Sequence, residues 1–444
     1  MQPSDSPLVP AHGRAVQAPL VRRQAWASAL VLMFPLLSLV TGAGIGLAGF
    51  LFLFTACLWW RDAGRVLRVH WPHTRWVLLA FLLHLACVLW SAAGYAHGAN
   101  AADAPARMVL ACSAMLVVQL GRPTLRAFWL GISGGALLAA GFVGWQRLAL
   151  GIDRPGGLLN PITFGDLAMC LALLALGALV GAGNHARSRA VRRIAAPGIV
   201  AGLAASLLTG SRGGWIALPA AFLLLAASAS RQAPLPRRLV LGVPLLAAAL
   251  ALGAYAVPRT GVQARIAVGI SDVEMFMAHS PVPTSIGVRL ALWQAGLRLA
   301  GEHPWRGLDT PAYKRRMREW VAAGELSPTV FAPPEPPHMH NDALQALGTR
   351  GIPGLLAWAG ILLAPFLFFR ARLAQAGAHG PRRAAALAGM LVVLAYATFG
   401  LTEVIFWSLK GSLFYALMVF LLMGWCLEAD AAAPALPGTA RGGG

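Results

Sequence analysis

Apolar residues fall along this chain in long blocks separated by short polar connections. A helix crossing the hydrocarbon of a bilayer needs about 20 mostly apolar residues. Twelve blocks approach that length: 26–42, 44–60, 76–95, 107–121, 127–150, 163–183, 194–210, 214–230, 239–257, 351–369, 384–402 and 409–427. The pattern predicts an all-α polytopic membrane protein with about 12 transmembrane helices. The first block follows Arg14, Arg22 and Arg23 and imitates a signal peptide. It runs on into a second block without a convincing cleavage site, so we read it as a retained anchor.

Only one connection breaks the rhythm. Residues 258–350 carry ten Lys/Arg and eight Asp/Glu, and a connection that long is either functional or disordered. Helical spacing within it favours function. In the stretch 286–300, Ile286, Leu290, Trp293 and Leu297 share one face. Arg289 and Arg298 flank that face on opposite sides, so they do not share a ligand. Thr310 followed by Pro311 predicts an N-cap with proline at the first helical position. In the helix that follows, Tyr313, Met317, Trp320 and Gly324 align, with Lys314, Arg315 and Arg318 elsewhere. Such a basic amphipathic helix suits a membrane interface, or else a solvated charged face over a small loop core. Pro328, Pro333, Pro334, Pro336 and Pro337 form a stiff approach to His338-Met339-His340-Asn341-Asp342. The chain thus divides into three parts: helices 1–9 in residues 1–257, the long loop in 258–350, and helices 10–12 with a tail in 351–444.

Composition agrees. The chain has 444 residues, 58% of them hydrophobic and 12% charged, with a mean hydropathy of +0.65. Soluble domains carry about 25% charged residues, which excludes a soluble enzyme or a disordered chain. A net charge of +20 would ordinarily point to nucleic acid. Here it follows topology. With a cytoplasmic N-terminus, 21 of the 36 basic residues lie in the inner connections, against four acids, Asp5, Asp62, Glu428 and Asp430. Positive loops stay inside, so no nucleic-acid partner is needed and the long loop lies outside, in contact with membrane lipids. Cys57, Cys87, Cys112, Cys170 and Cys426 all lie in apolar runs, which excludes a disulfide framework or a zinc knuckle; they read as buried apolar residues.

Candidate chemistry gathers at the outer interface. The chain has no GxxxxGK[ST] or HExxH motif. Few ionisable residues fall at mid-membrane, where an ion-coupled transporter would place them. Arg147, Arg154, Asp166, Arg212, Arg289, Glu403 and Lys410 sit near outer ends, with His338 and His340. The histidine stretch admits three roles. It could ligate a metal with Asp342, although no further ligand cluster is evident. Asn341 could simply cap a helix running from Asp342 to Thr349. Or His340, just before that helix start, could act as a neutral general base. Ser211-Arg212-Gly213-Gly214 and Arg154-Pro155-Gly156-Gly157 are tight outer turns. Convergent guanidinium groups suit phosphate, whereas a lone outer arginine more often anchors a lipid headgroup. Asp272-Val273-Glu274 imitates an acidic metal motif or is a solvated loop.

Three motifs in order carry a family resemblance. His340-Asn341, nine residues, then Gly351-Ile352-Pro353-Gly354 resembles the H-[NSQ]-x9-GxxG pattern of the O-antigen ligase family. Ser211-Arg212-Gly213-Gly214-Trp215 is similar to its SRG turn. Arg289 with Leu292-Trp293, then His303-Pro304-Trp305-Arg306-Gly307, resembles its R-x2-LW…hP-x2-G stretch. The twelve-span topology with one large outer loop matches as well. The resemblance implies a GT-C-like glycosyltransferase of the bacterial inner membrane with its active site facing the periplasm. It would move polysaccharide from undecaprenyl pyrophosphate, the carrier of the O-antigen donor, to the lipid A–core oligosaccharide. The implied mechanism inverts the anomeric centre and uses no metal and no cofactor. Carried onto this chain, His340 is the base on the acceptor hydroxyl, and Arg212 and Arg289 stabilise the leaving pyrophosphate. Arg154, Arg147, His338 and Asn341 are expected to bind substrate. The same motifs serve O-antigen polymerases and protein O-oligosaccharyltransferases. A polysaccharide transporter or flippase is the reading from outside the enzyme class.

Overall fold

The computed structural model describes residues 12–93, 101–182, 186–229, 237–277, 284–331, 338–377 and 379–427, and among them every regular element is helical. The first eight helices are α1 (His12–Leu37), α2 (Gly44–Leu58), α3 (Trp60–Ala92), α4 (Asp103–Leu110), α5 (Ser113–Gly121), α6 (Leu125–Leu148), α7 (Pro161–Ala182) and α8 (Ala186–Leu208). Next come α9 (Ala217–Ala227) and α10 (Arg237–Ala256), and then the long connection with α11 (Val262–Met277), α12 (Ser285–Glu302) and α13 (Thr310–Ala322). The chain closes with α14 (Asp342–Gln375), α15 (Pro381–Phe399) and α16 (Leu409–Leu427). Each of the twelve apolar blocks overlaps a helix among the described residues, with block 107–121 divided between α4 and α5. Among the described residues, nine helical segments are long and apolar enough to cross a bilayer, and Gly44–Leu58, Gly213–Ala227 and Pro244–Ala256 are shorter apolar helices. The chain is an all-α polytopic membrane protein.

The centre of the bundle is α7, α15 and α16, buried along almost their whole lengths. Lipid is as apolar as leucine, so helices in a membrane associate through close packing of small residues. Gly177 and Gly181 of α7 lie on Ala388 and Ala384 of α15; a Cβ built on Gly181 would sit 2.3 Å from the Ala384 Cα. A larger side chain there would force the helices apart, at a cost of about 1–3 kcal/mol. The outer helices instead turn Phe50, Phe54, Leu79, Leu83, Leu356 and Leu363 outward, as lipid-facing surfaces do. Cys57 is also exposed, on this outer surface of α2, where the sequence suggested burial.

The long connection builds a second core from Leu292, Ala295, Leu299, Tyr313, Met317, Trp320, Leu326, Val330 and Met339. Three expectations are corrected here. The buried face of α12 is Ala291, Leu292, Ala295, Gly296 and Leu299, while Leu290 and Leu297 are exposed. Small residues face inward because α12 packs closely on Met339 and Leu344; a Cβ on Gly296 would meet the Met339 sulfur at 3.0 Å. The N-cap of α13 is Asp309, not Thr310: its carboxylate accepts from the Ala312 N–H at 2.9 Å. Gly324 lies beyond the helix in a left-handed turn, with φ of 74°. Of the two readings of α13, the loop core accounts for its apolar face. Its charged side is exposed, and Arg316 bonds Glu302 at 2.8 and 3.0 Å and Glu319 at 2.7 Å. Pro328 opens a short 3-10 turn, Pro328–Phe331; Pro333, Pro334, Pro336 and Pro337 lie outside the described residues.

One glycine sets the entry angle of α14. Gly351 has φ 66° and ψ −165°, a conformation that is essentially glycine-only. It breaks α14 into an outer piece, Asp342–Arg350, and a longer inner piece. The turn at His303–Gly307 locks this kink: the Ile352 N–H donates to the Pro304 carbonyl at 2.7 Å and the Leu308 N–H to the Gly348 carbonyl at 3.1 Å. Ser91 of α3 donates to the carbonyls of Arg306 and Thr349. Two of the sequence motifs are therefore one packing unit that aims the start of α14.

Candidate active site

The outer piece of α14 begins where the sequence predicted. Asn341 is its N-cap, accepting from the Leu344 N–H at 3.0 Å while its amide donates to the Leu401 carbonyl at 3.3 Å. The Asp342 N–H donates to the Gly400 carbonyl at 2.8 Å, and the Asp342 carboxylate accepts from the Phe406 N–H. These bonds draw the histidine segment against the connection between α15 and α16. That connection carries Glu403, which is 6% exposed.

Glu403 bonds both histidines. Its Oε1 is 2.8 Å from His338 Nε2 and its Oε2 is 3.1 Å from His340 Nδ1. Burial pushes the Glu403 carboxyl upward, but the two imidazole hydrogen bonds outweigh it and hold the group well below the ordinary carboxylate range. An ionised Glu403 accepts only, so each bonded ring nitrogen carries a proton. The two histidines then differ. His338 Nδ1 also accepts from the His340 N–H at 3.3 Å, so both its nitrogens are used. His340 Nε2 has no protein partner among the described residues, and in the neutral ring with Nδ1 protonated it is the nitrogen that bears the lone pair. His340 is also the more open of the two, with 20% of its side chain exposed against 8% for His338. Its backbone is left-handed, φ 50°, a conformation that costs about 1–2 kcal/mol for a residue with a Cβ.

Arginines surround the other side of this hub. Arg212 sits in the turn between α8 and the 3-10 turn Gly213–Ile216, where Gly213 presses on Thr402 and Gly214 on Asp166. A Cβ on Gly213 would lie 2.2 Å from the Thr402 hydroxyl, next to Glu403. The Arg212 guanidinium donates to the Arg265 carbonyl at 3.2 Å and lies 3.9 Å from the Asp272 carboxylate. Gly269 leaves room for it: a Cβ there would be 2.0 Å from Arg212 Nη1. Burial lowers Arg289, Glu403 raises it, and the charges of Arg212 and Arg154 lower it further. Arg265 is lowered by burial and then by Arg154, Arg212 and Arg289, with Asp272 opposing. Four guanidinium groups therefore repel one another around one buried aspartate.

The expected site residues separate into groups. His338, His340, Asn341, Arg212, Arg289 and Arg154 converge. Arg147 is spent on its own turn, donating to the carbonyls of Ile152, Asp153 and Arg259 and pairing with Asp153 at 3.2 Å. Arg298 is directed away, bonded to Glu325 at 3.1 Å and set over the Trp320 ring. Two contributors went unassigned from the sequence. Glu403 stood out only as an interface charge, and Arg265 carried no motif. The signal for Arg265 was the Arg265, Gly269 and Asp272 face of α11, spaced i, i+4, i+7.

His338, His340 and Glu403 also offer three ligand atoms within 4.8 Å of one another, a donor set that borderline divalent cations accept. The sequence had suggested that no such cluster existed; its third member is Glu403, and Asp342 is bound to Phe406 instead.

The fold and site together describe a class in structural terms: a multi-helix membrane protein with a histidine–carboxylate hub beside an arginine cluster in the connections between its helices. Residues 197–359, a little over a third of the chain, match the family model described as O-Antigen ligase. The match takes in Arg212, Arg265, Arg289, His338 and His340, and leaves Arg154 and Glu403 outside. A Haemophilus influenzae protein described as "Uncharacterized protein" is 24% identical over 299 residues, 66% of this chain and 72% of its own. The matched segment supports a role in glycosyl transfer related to O-antigen and lipopolysaccharide.

Proposed function

We propose that the protein is an O-antigen ligase of the bacterial inner membrane, working on the periplasmic side. It takes polysaccharide from undecaprenyl pyrophosphate and passes it to a hydroxyl of the lipid A–core oligosaccharide. The observation that carries this reading is the buried Glu403 carboxylate holding His338 and His340 against four arginines.

His340 Nε2 takes the proton of the acceptor hydroxyl as that oxygen attacks the anomeric carbon. The bond from that carbon to the phosphate oxygen breaks, and the pyrophosphate departs on its lipid with the electron pair. Glu403 fixes the tautomer that leaves Nε2 unprotonated and steadies the imidazolium that forms. His338 completes the Glu403 anchor and the His340 backbone bond; it is a positioning residue. Arg212, Arg265 and Arg289, with Arg154 at the mouth, meet the developing negative charge, and fixed guanidinium groups do this without reorganising during reaction. Asn341 holds the helix start, and Arg147 supports the turn that carries Arg154.

The same hub can bind a cation, which would leave no free lone pair on His340. One experiment addresses both points. Purified protein is mixed with lipid-pyrophosphate-linked glycan, with and without lipid A–core, in excess chelator. Ligation that needs the core acceptor and survives chelation is expected. Elongation of the donor alone would mean a polymerase. Activity lost to chelator and restored by one metal would make His338, His340 and Glu403 ligands.

A further inference from the structure

Behind the histidine segment lies a cavity of about 390 Å³, walled by α3, α4, the start of α13, the outer half of α14 and the Ile405–Trp407 turn. That volume falls within the range of about 300–1,000 Å³ common to small-molecule sites. It shares no lining residue with the arginine cluster.

Five of its lining residues each hold a polar atom closed to solvent and without a protein partner: His84 Nδ1, Asp342 Oδ2, Gln345 Nε2, Arg350 Nε and Trp358 Nε1. Three of these side chains belong to residues at most 5% exposed, His84, Asp342 and Gln345. Native proteins leave few such groups, and each needs an explanation. Here they gather around one space. Arg350, Gln345 and Trp358 donate, Asp342 accepts, and His84 does either. Phe406, Trp407 and the Trp358 ring add aromatic lining. Two acids, Asp309 and Asp342, line the wall against one arginine, Arg350, so it carries no positive excess, unlike the arginine cluster. A phosphate finds no excess positive charge there, and an acyl chain would leave every one of these groups unsatisfied. A ring bearing several hydroxyls, each able to donate and accept, meets them all and lays its C–H face on the aromatics.

The cavity is coupled to the hub. Gln345 Oε1 accepts from the N–H of Met339, between the two histidines, at 2.9 Å. Trp407 lies edge-on to His338 with ring centroids 6.0 Å apart. An in-line displacement brings the incoming hydroxyl from the side opposite the leaving phosphate. With phosphate at the arginines, the cavity, which has no lining residue in common with them, is the place left for the incoming sugar.

We propose that this cavity binds a neutral sugar ring of the glycan acceptor and presents its hydroxyl to His340. The inference rests on the transferase reading above and names the second substrate's site. Trp358→Phe removes one donor and keeps the ring; Gln345→Leu is the second variant, and thermal unfolding checks that each folds. The probe is core oligosaccharide freed of its lipid, titrated calorimetrically into the purified full-length protein. Each variant is expected to weaken its binding about tenfold, the effect of one buried hydrogen bond, and to raise the acceptor KM while the donor KM stays. Arg212→Lys is expected to leave oligosaccharide binding unchanged. No binding to the unaltered protein, or equal binding to all variants, overturns the proposal. A rise in the donor KM alone assigns the cavity to the donor sugar and equally overturns it. Binding that depends on Trp358 in a protein that transfers nothing would sink the transferase reading and spare the site.

Discussion

The histidine hub and the arginine cluster are neighbours built on opposite electrostatic plans. In the hub the polar groups are hydrogen-bonded: Glu403 is buried but bonded through both oxygens, and His338 through both nitrogens. Only His340 Nε2 is left over. In the cluster the charges are unmatched: Arg154, Arg212, Arg265 and Arg289 share Asp272 and feel one another's repulsion. A satisfied network is rigid and fixes one proton position. A crowd of like charges is relieved only when an anion arrives. In the proposed reaction the hub holds a geometry and the cluster holds a ligand, and a leaving pyrophosphate beside a fixed base would use both.

The largest effect separates the two histidines. His340→Ala is expected to lower single-turnover transfer by about 10²–10⁴, the contribution of a general base, with lipid-pyrophosphate binding nearly unchanged. His338→Ala is expected to cost less, because it removes an anchor and leaves the base. A dead His338 variant beside an active His340 variant would reverse the roles drawn from Nε2.

On the arginine side, Arg212→Lys and Arg289→Lys keep charge but lose the fork that grips two oxygens. Each is expected to lower transfer by about 10²–10³ and, unlike the histidine variants, to weaken binding of the lipid pyrophosphate. Arg298→Ala is the control within the same helix as Arg289. Its pair with Glu325 is exposed, so transfer is expected to stay at the unaltered rate and stability to fall by about 1 kcal/mol or less. Equal damage from Arg298→Ala would mean that the loop arginines act as a diffuse surface.

Glu403→Gln tests the link between the regions. A glutamine cannot accept from both rings through a carboxylate, so one histidine must change tautomer. Transfer is expected to fall about 10–100-fold, with donor binding intact and the pH–rate profile displaced. Full activity in Glu403→Gln would remove the carboxylate from the mechanism.

The smallest effect is on stability. Glu403 is held below its unfolded value of 4.5, so its contribution is complete above that value and disappears as pH falls through the depressed folded value. Thermal unfolding followed from pH 7 to pH 3 is expected to show a loss below about pH 4.5 that Glu403→Gln lacks. Parallel curves would show that the carboxylate bonds exist equally in the unfolded chain.

Much of this was legible without coordinates because it is local. Spans follow from runs of apolar residues, and the Asn341 cap from a side chain reaching a backbone three residues on. The separation of Arg289 from Arg298 follows from helical angle alone. The face of α12 misled for a related reason: periodicity put Leu290 and Leu297 together, but a close helix contact selects small residues, so the alanines and Gly296 turned inward. Likewise Asp309, one residue before Thr310, supplied the better cap.

What tertiary structure alone decided is which distant charges meet. Glu403 lies 63 residues beyond His340, in a connection with no motif, and it reaches both histidines because Gly400 receives the start of α14 and Gly213 allows the arginine turn to approach Thr402. Arg265 joins Arg212 only because Gly269 leaves space for a guanidinium. Sequence periodicity encodes the face each helix presents, but nothing local encodes which faces come together. That depends on helix packing, where a few glycines permit approach and a buried carboxylate chooses its partners.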